Sequence, residues 1–185
     1  MPFIGALFYF SKAPRYIPMP FIKAKLFALA LFTIILPILL FYLLKTTKRV
    51  NSIHLNSTKE RIIPLLLNAI IVLLITQRII PINEMVELYF FFIGILLSTM
   101  ACLILAILKF KASIHMAAAG GVLMFFTALS IHFSINIIGT IALFFIIVGA
   151  IATSRLHMNA HSNTELIIGF FVGLIPQLIL LNYWL

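Results

Sequence analysis

Two short stretches hold most of the side chains in this sequence that could do chemistry. The first is Lys111, Ser113 and His115; the second runs from Ser154 and Arg155 through His161 to Glu165. His161 and Glu165 stand four residues apart, so on a helix the carboxylate reaches the imidazole. A carboxylate that fixes one ring nitrogen leaves the other free as a nucleophile or base. His115 supplies a second imidazole from a separate segment. Lys111 and Arg155 add positive charge, and Ser113 and Ser154 add hydroxyls. An anion such as phosphate is the natural target, because Arg grips it bidentately. Both stretches also stand where helices begin, and a helix start offers free N–H groups to an anion.

Plainer readings exist for the same residues. Ser162-Asn163-Thr164-Glu165 is a capping box, and Ser113 is a good N-cap. His157 and His161 have a metal-binding spacing, but no Cys or further carboxylate nearby completes a set of ligands. His115 and His161 belong to one membrane face, which is wrong for a haem pair at mid-bilayer. No metal or cofactor is therefore expected. His54, His132 and His157 read as interfacial histidines, and Lys45, Lys48 and Arg49 as juxtamembrane anchors.

The elements that must position these residues are membrane spans. Hydrophobic residues make up 64% of the 185 residues and charged residues 9%, against about 25% charged in an average soluble domain. That excludes a soluble globular protein, a disordered chain and a disulfide scaffold, and the lone Cys102 forbids an intrachain disulfide. The net charge is +9, with 13 basic residues scattered between apolar runs. Anionic lipid headgroups or phosphate fit that scatter better than nucleic acid does.

A hydrocarbon core about 30 Å thick needs roughly 20 apolar helical residues. Charge-free runs cover Leu26–Leu44, Ile62–Gln77, Leu88–Leu108, Ala112–Ser154 and the residues after Glu165 to Leu185. The fourth run is twice too long for one crossing, so it must be a hairpin, with its turn at His132, Ser134 and Asn136. The sequence thus predicts an all-α, polytopic bundle of six transmembrane helices in a single domain, 1–185. Met1–Phe10 is apolar but too short to cross, and reads as a re-entrant or interfacial segment rather than a signal peptide. Ala117–Gly121 and the Gly169/Gly173 pair predict close helix contacts. The aromatic run Phe90-Phe91-Phe92 is expected to face lipid. No span carries an ionisable residue near its centre, which argues against a solute carrier.

Six alternating spans put the loops after the first, third and fifth on one side. That side holds both chemical stretches and eight of the 13 basic residues. The positive-inside rule would place it in the cytoplasm, although basic residues kept to bind an anion would distort that count.

At this point the second stretch resembles the third signature motif of the type 2 phosphatidic acid phosphatase superfamily, Ser-Arg-x5-His-x3-Asp. The Lys111, Ser113, His115 stretch resembles its second motif, in a Lys-x-Ser-x-His form. Lys59-Glu60-Arg61 with Pro64 is a remnant of the first, Lys-x6-Arg-Pro, with altered spacing. The motif segments cover roughly a tenth of the chain, and the six-span layout agrees over most of it. The resemblance implies an integral membrane phosphatase that hydrolyses a lipid phosphate or pyrophosphate without metal. It implies that His161 attacks phosphorus and becomes phosphohistidine, that Glu165 holds it in the reactive tautomer, and that His115 protonates the leaving oxygen. It implies that Lys111, Ser113, Ser154, Arg155 and Arg61 cradle the phosphate, on the extracytoplasmic side of the cell membrane. The partners expected are the bilayer and a lipid phosphate, with no nucleic acid; oligomeric state is unspecified. Two departures stand out. Glu165 replaces the usual Asp, and Ile114 replaces a Gly and is expected to crowd the phosphate. They carry an alternative: a catalytically impaired relative that binds or moves phospholipids.

Overall fold

The computed structural model describes residues 1–47 and 57–185; Lys48, Arg49 and His54 lie outside the described residues. Among the described residues the chain is all helical. A short helix α1 (Pro2–Lys12) precedes six helices long and apolar enough to cross a membrane. These are α2 (Met19–Thr46), α3 (Thr58–Ile79), α4 (Val86–Ile107), α5 (Ile114–His132), α6 (Ile138–His157) and α7 (Asn163–Tyr183). The long fourth run does turn between His132 and Ile138. Helices extend past the charges that bounded the apolar runs. Lys25, inside α2, reaches Glu84 at 2.7 Å from the loop after α3.

α5 is the most enclosed span, whereas α2 and α6 are largely exposed. The closest packing joins α5 to α7, and glycine makes it possible. A Cβ on Gly169 would stand 2.6 Å from the Ser113 carbonyl oxygen, and one on Gly173 would collide with the Ala117 carbonyl. This is the close backbone approach that small residues allow in place of a hydrophobic driving force. α4 closes the group: Gln177 of α7 donates from Nε2 to the Phe91 carbonyl at 2.9 Å. Two spans contain π-helical turns, Leu31–Ile35 in α2 and Ile75–Ile79 in α3. The first lies just before Pro37, which has no N–H to continue the i→i−4 ladder.

Two expectations change, and the N-terminal segment gains a definite place. Phe91 and Phe92 do not face lipid; both are fully buried, and Phe91 stacks on Phe125 with ring centroids 4.1 Å apart. The N-terminal segment is a helix tucked into the bundle against α4 and α5, with Ala6 and Tyr9 fully buried. His132 is not a solvated interfacial residue. It approaches Glu87 at 3.2 Å, and Glu87, at 1% side-chain exposure, also takes Arg15 at 2.7 Å and the Tyr9 hydroxyl at 3.1 Å. A buried carboxylate needs such partners. The cluster stitches α1 and the loop after it to α4 and α5 at the end of the bundle opposite the chemical stretches.

Candidate functional site

The two motif stretches meet because α5 and α7 start side by side. The Ser113 N–H donates to the Glu165 carbonyl at 3.1 Å, and Gly169 lets the backbones approach this closely. Ser113 is the N-cap of α5, accepting from the Met116 N–H at 3.4 Å, and is fully buried. Its hydroxyl oxygen therefore serves the helix start as an acceptor.

Ser162 caps α7 in a complete capping box with Glu165. The same Glu165 oxygen that accepts from the Ser162 N–H at 3.2 Å also accepts from His161 Nδ1 at 2.8 Å. The structural and the chemical readings of Glu165 are thus one arrangement. With Nδ1–H donated to the carboxylate, the lone pair of His161 sits on Nε2.

Basic groups surround this histidine. Lys111 donates from Nζ to the Ala160 carbonyl at 3.0 Å, next to His161 in the chain. Arg61, 5% exposed near the start of α3, donates to the Ala112 carbonyl at 2.9 Å. Arg61 is thereby brought close enough for its charge to act on His161, whereas Lys59 is exposed. Burial disfavours the charged imidazolium and pushes the His161 pKa below its ordinary value. The hydrogen bond to Glu165 pulls it back, while the charges of Arg61 and Lys111 push it down further. His161 is thereby held neutral, the form that can act as a nucleophile.

Arg155, in the last turn of α6, reaches across to α5 and donates from Nη2 to His115 Nε2 at 2.9 Å. Arginine always carries its protons, so Nε2 of His115 is the acceptor and its proton sits on Nδ1. Ser154, a candidate for the phosphate cradle, is placed differently. The Ser154 side chain is exposed and directs its hydroxyl along its own helix, 4.0 Å from Met158 Sδ. Ile114 packs beside Leu65 and Cys102 and shares a cavity lining with Arg61. His157 is exposed at the end of α6.

Sequence reasoning missed two features. The Glu87 cluster was overlooked because Glu87 reads as a span boundary. The polar pair Asn68 and Thr99, joined at 3.3 Å between α3 and α4, lay inside apolar runs; their polarity at mid-span was the available signal. Comparison of the chain with protein-family models, with curated proteins and with solved structures gives no match.

Proposed function

We propose that this protein is an integral membrane phosphatase that hydrolyses a lipid phosphate or pyrophosphate at His161. The observation that carries this reading is the 2.8 Å contact of His161 Nδ1 with Glu165, with Arg61, Lys111 and Arg155 bonded to the nearby Ala112, Ala160 and His115. Phosphoryl transfer asks little covalent chemistry of a protein; positioning and charge stabilisation do most of the work. Here Nε2 of His161 attacks phosphorus, and the bond from phosphorus to the ester oxygen breaks. The leaving oxygen takes a proton from His115. Water then attacks the phosphohistidine, gives its proton to His115, and free phosphate leaves.

Arg155 has a second part in this scheme. While it donates to His115 Nε2, that nitrogen cannot carry the proton the leaving oxygen needs. An incoming phosphate competes for the guanidinium through two charge-assisted hydrogen bonds. Moving Arg155 to the phosphate frees His115 Nε2 to be protonated. Binding thereby arms the acid. We place the site on the extracytoplasmic side of the cell membrane, in keeping with the resemblance in the motifs.

The test is phosphate release by detergent-purified protein in EDTA, over a panel of lipid phosphates and pyrophosphates. Release by the wild type and none by His161→Ala is the expected result. Unchanged release by His161→Ala overturns the assignment of the nucleophile. Tight lipid-phosphate binding with no release by folded wild type replaces this reading with a binding-only role, in which Arg155 keeps His115 occupied.

A further inference from the structure

An elongated cavity of about 370 Å³ runs from the candidate site into the bundle. Its walls come mainly from α2, α3, α4 and α5, with Met1 and Pro2 at the start of α1 and Gln177 of α7. Arg61 and Ile114 lie at its mouth, and Phe32, Ile75 and Phe91 at its far end. From Arg61 to Ile75 along α3 the rise is about 21 Å, some two-thirds of the hydrocarbon core. Arg61 is the only residue with a charged side chain among the described residues that line it; Met1, which carries the α-amino group, lines it as well. Of its polar side chains, Asn68 bonds to Thr99, while Thr33, Ser98 and Gln177 donate to backbone carbonyls, so apart from the Met1 amine the lining is a largely apolar tube with the Arg61 side chain at one end.

The tube opens sideways. No residue of Leu36–Thr46, the half of α2 nearest the site, is buried. Pro37, Leu40 and Leu44 nevertheless line the cavity. This half of α2 is a loosely seated outer wall, and a chain lying in the bilayer can pass between it and α3.

Volume fixes how much the cavity holds. A dry apolar cavity of about 150 Å³ takes one benzene, so this one takes roughly fifteen carbons. That is one hydrocarbon chain; two acyl chains do not fit.

We infer that the ligand of this site is a single-chain lipid phosphate, its one alkyl or isoprenyl chain threaded into this cavity and its phosphate at Arg61. The inference rests on the phosphatase reading for the headgroup, and on the cavity for the tail. The far end acts as a stop: a chain too long for the tube leaves its phosphate short of Arg61. Charge and apolarity both match, since the one charged side chain of the lining stands where the tube meets the site.

The experiment separates the tail from the chemistry. Octyl, dodecyl, hexadecyl and eicosyl phosphates and farnesyl phosphate, each with a photoreactive group at the chain end, are incubated with wild type and with His161→Ala in nanodiscs. Adducts are mapped by mass spectrometry, and phosphate release is read in parallel. The expected result is labelling of Phe32, Ile75 or Phe91 by the hexadecyl or farnesyl probe, and labelling near Leu65 or Cys102 by the octyl probe. Diacyl phosphatidate should compete at least tenfold more weakly than hexadecyl phosphate. Ile95→Trp, which fills the deep half, should shift preference to shorter chains. Phe32→Ala, at a less buried position, should shift it to longer ones.

Adducts confined to exposed faces such as Leu143 and Ile146, or equal competition by diacyl phosphatidate, overturn the inference. Cavity labelling without phosphate release supports the tail site and overturns the phosphatase. Release without cavity labelling does the reverse. The alkyl and farnesyl arms distinguish the two kinds of chain.

Discussion

His161 donates from Nδ1 to the very Glu165 oxygen that caps α7, at 2.8 Å. One carboxylate therefore does two jobs, and they separate by substitution. Glu165→Gln keeps an oxygen to accept from the Ser162 N–H but loses the charge that orients the imidazole. Its kcat should fall about a hundredfold or more, with the melting temperature almost unchanged. Glu165→Ala should lose the same activity and, in addition, about 1 kcal/mol of stability from the missing cap. Full activity in Glu165→Gln would leave the residue as a cap alone.

Lys111 tunes His161 through charge. It helps hold the His161 pKa down, so the neutral nucleophile persists to a pH below the usual histidine range. Lys111→Met removes one of the pushes, so the His161 pKa rises. The acid limb of the kcat/KM profile should then move to higher pH. The substrate phosphate ionises identically in both enzymes, so the difference between the two profiles belongs to the protein. A limb that stays put would place Lys111 too far from His161 to matter.

The α5–α7 contact sets the site geometry. Gly169→Ala brings a Cβ to 2.6 Å from the Ser113 carbonyl oxygen and 2.9 Å from its nitrogen, so the start of α5 must move. A displacement near 1 Å costs about a hundredfold in rate, and kcat should fall accordingly in a protein that still folds. Gly149→Ala on α6, where nothing stands within 4 Å, should leave release and melting temperature intact. Equal behaviour of the two variants would detach this contact from the site.

The Glu87 cluster is structural and lies at the other end of the bundle. Glu87→Ala leaves Tyr9, Arg15 and His132 without their common partner. Arg15 is half exposed and can turn to water, so the cost comes mainly from the buried Tyr9 hydroxyl left unpaired, about 1–3 kcal/mol, and the melting temperature in detergent should drop. Release per folded molecule should hold. A selective loss of turnover at unchanged stability would instead give this cluster a functional part.

Sidedness yields to labelling. Met158 follows α6 on the site face and is 50% exposed, while Cys102 is buried at 5%. Met158→Cys should react with a membrane-impermeant maleimide in intact cells. Reaction only after permeabilisation would put the site in the cytoplasm.

The sequence by itself determined the class of the fold and the contact between His161 and Glu165. Charge-free runs of span length can bury their backbone in lipid only as helices, so the six spans and the turn after His132 were legible. So were the His161–Glu165 pair and the caps at Ser113 and Ser162, because these depend on local spacing along one helix. What tertiary structure decided was direction. In a chain this apolar, lipid-facing and core-facing residues are alike, and the polar periodicity that marks a helix face in soluble proteins is gone. Phe91 and Phe92 therefore looked like surface and are core. Ser154 and Arg155, adjacent in the motif, point different ways on α6, and only Arg155 reaches His115. The arrival of Arg61 beside Ala112, the gathering of three partners around Glu87 and the cavity behind the site all join residues from different helices. Close packing at glycines set those distances, and no spacing along the chain contains them.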